Sequence, residues 1–171
     1  VPRELHYRHD KLVTPPAKEL TALREKAFSQ PETVLTEETS FAEWSQETGE
    51  LLAEFDLSEA KGLAIHFAAG FDDEVAIRLE KESGNVTLSR KSPSTGRREE
   101  RFAKLPAGQT KLAVRVYEDR SSLEIFLNDG EVVMSTRFYP KTEERVIVLE
   151  PQEGTVRMTE GVFYELGDIF A

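Results

Sequence analysis

The sequence predicts an all-β fold: a two-sheet antiparallel β-sandwich, jelly-roll or laminin-G/concanavalin-like, behind a short irregular or helical N-terminal lead-in. Two observations predict it. Apolar residues alternate with polar ones from about residue 50 onward, and Gly, Pro and Asn-Asp-Gly turn signals separate the alternating segments at near-regular spacing. The 171 residues have room for one such domain. A closed barrel would show the same alternation, so periodicity alone does not separate the two folds.

The first thirty residues differ from the rest and form the predicted lead-in. Four prolines punctuate this part of the chain: Pro2, Pro15, Pro16 and Pro31. Leu20, Leu23 and Ala27 lie at helical spacing after the second and third of them, which is compatible with a turn or two of helix or with an extended linker. We therefore expect residues 1–30 to be a junction and linker, and residues 31–171 to form the sandwich.

Alternation predicts the strands of the first half. At least four strands are expected before residue 90, at positions 51–57, 63–67, 75–79 and 86–88. Residues 91–101 combine Ser, Pro, Thr and Gly with a cluster of charges, which is typical of a loop.

The second half resumes the period of two. Alternation at 112–116 and 123–127 predicts two strands, and Asn128-Asp129-Gly130 predicts a hairpin turn into a strand at 132–134. Further short strands are expected at 145–149, 155–158 and 162–166, separated by Pro151, Gly154 and Gly161.

Composition excludes several functional classes. The formal charge of −10, from 32 acidic against 22 basic residues, disfavours binding to nucleic acid or to an anionic membrane. No apolar run approaches the roughly 20 residues that span a bilayer, and residues 1–5 do not resemble a secretory signal. The absence of cysteine excludes disulfides, thiolate metal sites and a cysteine nucleophile. It suits a cytoplasmic protein, although many secreted bacterial proteins also lack disulfides.

Acidic residues near the predicted hairpin are the most suggestive candidates for chemistry. Hydrolysis of a glycosidic bond needs two carboxyl groups across the scissile bond, and Glu118, Asp119 and Glu124 lie in or beside one strand pair. The structural alternative is that Asp119 and Arg120 organise a turn while Glu124 pairs with a cation on the neighbouring strand, and we favour it. Aromatic residues outside the alternating pattern could stack on sugars; they are Trp44, Tyr117 and Tyr139.

Histidines offer little evidence for a metal site. His6 and His9, with Asp10, lack a third ligand at matching spacing, so we expect no metal. His66 lies on the strand face opposite to Leu63 and faces solvent or a shallow groove. The sequence lacks nucleotide-binding glycine loops and a Gly-x-Ser-x-Gly elbow, and no cofactor is expected.

One long stretch resembles a known family. Residues 116–131, VYEDRSSLEIFLNDGE, resemble the signature of the C-terminal β-sandwich of glycoside hydrolase family 32, approximately D-x-S-x-x-E-[VI]-F-x-N-x-G. The matching residues are Asp119, Ser121, Glu124, Ile125, Phe126, Asn128 and Gly130. The continuation VMSTRFYP at 133–140 is similar to the next strand of the family.

A second match lies at the start of the chain. Residues 1–5, VPREL, and residues 12–20 resemble the junction at which the catalytic propeller of that family ends and the sandwich begins. The two matches touch both ends of the domain, and the segment between residues 30 and 110 adds only compatible alternation.

The resemblance implies a domain without catalytic residues. The family includes invertases, sucrose-6-phosphate hydrolases and levanases, whose catalytic residues lie in an N-terminal five-bladed propeller on the motifs W-x-N-D-P-N-G, R-D-P and E-C. None of these motifs occurs here, because Asn128-Asp129 runs into Gly130, Arg-Asp-Pro is missing and there is no cysteine. No catalytic role is therefore carried over to any residue.

We accordingly expect a non-catalytic sandwich that braces the propeller of a β-fructosidase or mediates contacts in a homo-oligomer. Two alternatives stay open. The sandwich could itself bind a terminal fructoside, because carboxylates and guanidinium groups hydrogen-bond sugar hydroxyls in pairs; the candidate residues are Tyr117, Asp119, Arg120 and Glu124. It could also be an unrelated structural β-sandwich.

Overall fold

The computed structural model confirms the all-β prediction. It describes residues 1–8, 10–44, 48–67, 74–92, 94–137 and 145–167. The strands are β1 (His6–Arg8), β2 (Lys11–Val13), β3 (Arg24–Gln30), β4 (Thr33–Leu35), β5 (Thr39–Trp44), β6 (Gly49–Phe67), β7 (Val75–Glu80), β8 (Asn85–Lys91), β9 (Arg98–Lys104), β10 (Lys111–Asp119), β11 (Ser122–Leu127), β12 (Val132–Arg137) and β13 (Arg145–Leu166). A 3-10 helix covers Lys18–Leu23. Within the described residues, no helix is long and apolar enough to cross a bilayer.

Two long antiparallel strands organise the sandwich. β6 and β13 pair along nearly their whole lengths, from Gly49 opposite Glu165 to Phe67 opposite Ile147. The first half of β6 also pairs with β10 and its second half with β7. β13 likewise pairs with β3, β4 and β5 in turn along its other edge. The β6–β13 strand pair therefore passes from one layer of the sandwich into the other.

Within the described residues, each layer contains six strands, because β6 and β13 contribute to both. The first layer runs β12-β11-β10-β6-β13-β3, and the second runs β9-β8-β7-β6-β13-β5, with β4 at the middle of β13. The two layers face each other: Leu63 and Ile77 of the second layer line the same small internal gap as Leu112 and Val114 of the first. Their inward side chains form one hydrophobic core.

The long strands correct two predictions. Residues 51–57 and 63–67 belong to one strand rather than two, and the three short strands expected between 145 and 166 are all part of β13. Gly154 does not end β13: the strand continues through it with a φ of +132°, and its pairing with β6 shifts register between Thr155 and Arg157 and between Met158 and Glu160. Such bulges bend a strand without ending it.

The predicted loop at 91–101 is also shorter than expected. β9 starts at Arg98 and pairs with β8 from Lys91 to Asn85. Its residues are exposed except for half-buried Ala103, so the strand carries charges on both faces and lacks the apolar alternation that marks a buried strand. An edge strand with charged side chains is a common protection against aggregation.

The N-terminal segment forms a ribbon before it joins the sandwich. β1 pairs with β2, and an isolated bridge between Arg3 and Pro16 extends the pairing toward the chain start. The 3-10 helix contains two of the three apolar residues at helical spacing, and the third lies in β3. β3 pairs with β13, so the described sheet begins before residue 31; the assignment of residues 1–30 to a junction stays a prediction.

Candidate functional site

The outer face of the first layer carries a buried acidic residue. In the first half of β6, Leu51, Ala53 and Phe55 point into the core, so the side chains that alternate with them point outward. Glu50 is one of these outward side chains, yet none of its surface is exposed. Burying a carboxylate is unfavourable unless hydrogen bonds and opposite charges compensate it, so its surroundings define the site.

Glu50 is compensated by residues from two other strands. Arg24 of β3 donates two hydrogen bonds to it, from Nε to Oε2 at 2.7 Å and from Nη2 to Oε1 at 2.9 Å. Tyr117 of β10 donates its hydroxyl to Oε1 at 2.8 Å, and Arg115 Nε lies 3.6 Å from the same oxygen. The Arg24 guanidinium also lies 4.2 Å from the centroid of the Tyr164 ring. These five residues form the Glu50 cluster.

The electrostatics of the Glu50 cluster keep the Arg24 guanidinium and the Tyr117 hydroxyl protonated. The hydrogen bonds with Glu50 raise the pKa of Arg24, against the opposing effect of burial. Burial raises the pKa of Tyr117 well above its ordinary value, and the charge of Glu50 and the hydrogen bond to it add to the effect. Tyr117 therefore remains a hydrogen-bond donor, and both carboxylate oxygens of Glu50 are occupied. The arrangement suits a structural role better than proton transfer.

A cleft lies beside the Glu50 cluster on the same face. Its volume is about 370 Å³, and Pro16, Arg24, Glu54, Arg115, Asp129 and Tyr164 are among the residues that line it. That volume lies at the small end of the range of roughly 300–1,000 Å³ typical of ligand pockets. Both lining arginines already contact Glu50.

The four predicted sugar-binding residues do not converge on one pocket. Tyr117 is 4% exposed and bonds Glu50. Glu124 lies directly opposite Tyr117 on β11 but accepts a hydrogen bond from Arg3. Asp119 and Arg120 are exposed at the β10–β11 turn, where Asp119 Oδ1 accepts the backbone N–H of Arg120 at 2.7 Å. The structural alternative predicted a turn around Asp119, which is present, and a cation on the strand next to Glu124.

The cation beside Glu124 was not predicted correctly. It comes from the N-terminal ribbon and not from a neighbouring strand of the sheet. Burial alone would raise the pKa of Glu124, but hydrogen bonds from Arg3 and from the amino group of Val1 outweigh it and lower the pKa.

The ribbon makes further contacts with the β11–β12 hairpin. Arg8 pairs with Asp129 at 2.7 Å and Lys11 pairs with Glu131 at 3.0 Å. The backbone N–H of Thr14 donates to the carbonyl of Gly130 at 3.0 Å. The two stretches that carry the family resemblance therefore touch each other.

Of the predicted aromatic candidates, Tyr117 belongs to the Glu50 cluster, and the described histidines lie elsewhere. His6 contacts Glu4 at 2.7 Å, and half-buried His66 lies between Glu74 and Glu150 at 3.0 and 2.9 Å. In the described part of the chain, no three His, Cys, Asp or Glu side chains cluster as metal ligands. His9, Tyr139 and the side chain of Trp44 lie outside the described residues.

Sequence reasoning missed Glu50, Arg24 and Tyr164. Glu50 occupies a polar position of an alternating strand, where an exposed side chain is the normal expectation. Arg24 lies in a segment without alternation. No local signal marks Glu50 or Arg24, because their pairing depends on how β13 lies between β3 and β6.

Comparison with known proteins places this architecture in context. The family model described as "Glycosyl hydrolases family 32 C terminal" matches residues 19–165. A sucrose-6-phosphate hydrolase of Escherichia coli is 31% identical over 167 residues, which cover 96% of this chain and 34% of that protein. A raffinose invertase of Escherichia coli is 29% identical, with 97% and 34% covered. The chain thus spans about a third of the length of these curated relatives.

Solved structures share the fold. A sucrose-6-phosphate hydrolase from Lactobacillus gasseri superposes with a TM-score of 0.73 at 19% identity, over 96% of this chain and 33% of that chain. A fructan 1-exohydrolase IIa from Cichorium intybus superposes with a TM-score of 0.76 at 16% identity, over 98% of this chain and 40% of that chain. In both, the matched part is again the smaller part of the molecule.

Proposed function

Because the chain belongs to the C-terminal domain family of glycosyl hydrolases family 32, we propose that it braces the catalytic domain of a β-fructosidase. The catalytic domain would hydrolyse sucrose, sucrose 6-phosphate or a fructan, as the names of the relatives suggest. The sandwich itself would contribute no catalytic group.

One observation carries this proposal: the chain matches a C-terminal family over residues 19–165 yet spans only about a third of its relatives. The sequence contains none of the three catalytic motifs of the family. The Glu50 cluster supports the same conclusion, because its fully buried carboxylate already accepts three hydrogen bonds from Arg24 and Tyr117.

Fructose release tests the non-catalytic role. The purified chain is incubated with sucrose, sucrose 6-phosphate and levan, and free fructose is measured over time. We expect no release above a heat-denatured control. Turnover that copurifies with the chain through successive columns, and that disappears in a Glu50→Gln variant, would contradict the proposal.

Binding of a fructoside by Tyr117, Asp119, Arg120 and Glu124 stays a prediction. The exposure of Asp119 and Arg120 at the β10–β11 turn is the observation that favours it. Calorimetry with fructose and levan at millimolar concentration tests it, with the double variant Asp119→Asn, Arg120→Gln as the matched control. Heat that the double variant abolishes would favour a carbohydrate-binding module, whereas no heat would leave the bracing role.

A further inference from the structure

The cleft beside the Glu50 cluster has an apolar floor. Leu52 of β6 lies directly opposite Val162 of β13, and Ala113 of β10 lies opposite the next outward position of β6. All three side chains alternate with core residues, so they point to the outer face of the first layer, and all three line the cleft. They are shorter than the arginine, glutamate and tyrosine side chains around them. The outer face is therefore depressed at this point.

The two ends of the cleft carry opposite charges. Arg24 and Arg115 lie at one end, where both contact Glu50. Glu54 and Glu160 lie at the other end, directly opposite each other on β6 and β13, and both are exposed. Like charges directly opposite each other destabilise a sheet. A ligand that donates hydrogen bonds to these two carboxylates would offset that repulsion.

Glu50 fixes the arginine end of the cleft before any ligand binds. Arg24 binds the buried carboxylate through Nε and Nη2. Within the part of the chain that the structure describes, Arg115 contacts an acidic side chain only through Nε, at 3.6 Å from Glu50, and it is 30% exposed. Its two terminal nitrogens are thus available as donors on a side chain that is already oriented. Such preorganisation lowers the entropic cost of binding.

The combination of an apolar floor and two oppositely charged ends fits a saccharide. Carboxylates only accept hydrogen bonds and guanidinium groups only donate them, whereas a hydroxyl does both. A neutral ligand with several hydroxyls can therefore bind both ends, while the C–H groups of its ring pack on the floor. A small anion would be repelled by the glutamates, and a small cation by the arginines. The volume of about 370 Å³ is compatible with a small saccharide.

We propose that this cleft is a saccharide-binding site of the sandwich, separate from the β10–β11 turn at Asp119 and Arg120. Arg115, Glu54 and Glu160 hydrogen-bond the hydroxyls, and the apolar floor carries the ring. The saccharide class follows from the chemistry of the cleft. The choice of fructose and sucrose as probes rests on the proposed function.

Calorimetry with fructose and sucrose at millimolar concentration tests the site on the chain itself. Ala113→Leu should abolish binding, because it fills the floor of the cleft without changing any charge. The double variant Glu54→Gln, Glu160→Gln should bind about tenfold more weakly, because a neutral amide accepts weaker hydrogen bonds than a carboxylate does. Glu99→Gln, Glu100→Gln on the exposed strand β9 is the matched control and should leave binding unchanged.

Amide chemical shifts locate the bound sugar without variants. On titration with sucrose, the amides of Leu52, Ala113 and Val162 should shift saturably, and those of Asp119 and Arg120 should not. No saturable binding of either sugar, shifts confined to the β10–β11 turn, or binding that Ala113→Leu leaves unchanged would overturn the site. Glycine offers a carboxylate to the arginines and an ammonium group to the glutamates. Binding of glycine without binding of either sugar would also overturn it.

Failure of the saccharide site is distinguishable from failure of the proposed function. The second measurement is fructose release by a family 32 fructosidase that carries this chain as its C-terminal domain. If that enzyme releases fructose and the chain binds no sugar, the proposed function stands and the saccharide site fails. If the chain binds sugar in the cleft and the enzyme releases no fructose, the site stands and the proposed function fails.

Discussion

Arg3 donates a hydrogen bond from Nη2 to Oε2 of Glu124 at 2.8 Å, across 121 residues of sequence. The Arg3 guanidinium also lies 5.4 Å from the centroid of the Phe126 ring. Glu124 and Phe126 belong to the hairpin signature, and Arg3 belongs to the N-terminal match. Residues from the two stretches that resemble the family thus contact each other between the ribbon and the sandwich.

Gly130 is the tightest point of that contact. Its φ is +87°, and a Cβ there would lie 2.4 Å from the carbonyl carbon of Thr14. Gly108 has a φ of +74° and open space around it, so Gly108→Ala measures the conformational cost alone. We expect Gly130→Ala to lower the free energy of unfolding by about 1–3 kcal/mol more than Gly108→Ala, because the ribbon must shift. Urea unfolding measures both, and equal losses would contradict the contact.

Tyr117 tests the hydrogen bonding of the Glu50 cluster. Tyr117→Phe removes one donor from a fully buried carboxylate and should cost about 1–3 kcal/mol of unfolding free energy. Tyr7→Phe is the matched control, because its hydroxyl bonds Asp10 on the surface. Chemical denaturation of both variants checks the difference. A cost for Tyr117→Phe no larger than that of the control would show that Glu50 does not need this donor.

The Arg24–Glu50 pair can be tested by a double-mutant cycle. Arg24→Met leaves the buried carboxylate of Glu50 without its bidentate partner and should cost about 3–5 kcal/mol. The double variant Arg24→Met, Glu50→Met should be clearly more stable than the sum of the single losses predicts, because it removes the buried carboxylate and leaves only the partly exposed Arg115 without its partner. The cycle is measured by urea unfolding. Additive losses would mean that the two residues are not coupled.

The surface pair of Arg157 and Glu32, at 3.0 Å, provides the control for that cycle. Both side chains are more than half exposed, so solvent screens the pair. We expect the same substitutions there to show no measurable coupling.

Acid sensitivity should depend on Glu150. The hydrogen bond with His66 lowers its pKa, against the effect of burial and with a smaller contribution from the charge of Arg78. A lowered carboxylate pKa stabilises the fold at pH values above the unfolded pKa, and this stabilisation is lost as pH falls through the folded pKa. Glu150→Gln should therefore lower the free energy of unfolding by about 0.5–1 kcal/mol at pH 7, a value discounted for solvent screening. Near pH 3 it should change the free energy of unfolding little.

Unfolding midpoints in urea between pH 3 and pH 7 measure this pH dependence. Glu153→Gln is the control, because that side chain is 73% exposed in its pair with Lys61. His66 also contacts Glu74, so Glu74→Gln is measured in parallel. A cost for Glu150→Gln that is the same at pH 3 and pH 7 would exclude the proposed linkage.

The sequence predicted the sandwich and most of its strands because burial on one face leaves a period of two. The continuity of β6 could not be predicted, because the alternation is interrupted between Leu57 and Leu63, where Glu59 and Lys61 are exposed and Ala60 is buried. The charged edge strand β9 could not be predicted, since neither of its faces is buried. The Glu50 cluster was also beyond local inference, because Arg24 and Tyr117 reach Glu50 from strands 26 and 67 residues away.

Thermal inactivation of a family 32 fructosidase that carries this chain as its C-terminal domain, compared with the same enzyme lacking residues 1–171, tests the bracing role most directly. The loss of fructose-releasing activity on heating is followed for both forms. We expect the form without the sandwich to lose activity at a temperature several degrees lower, or to be recovered only in an unfolded state. Identical inactivation curves for the two forms would contradict a bracing role for this domain.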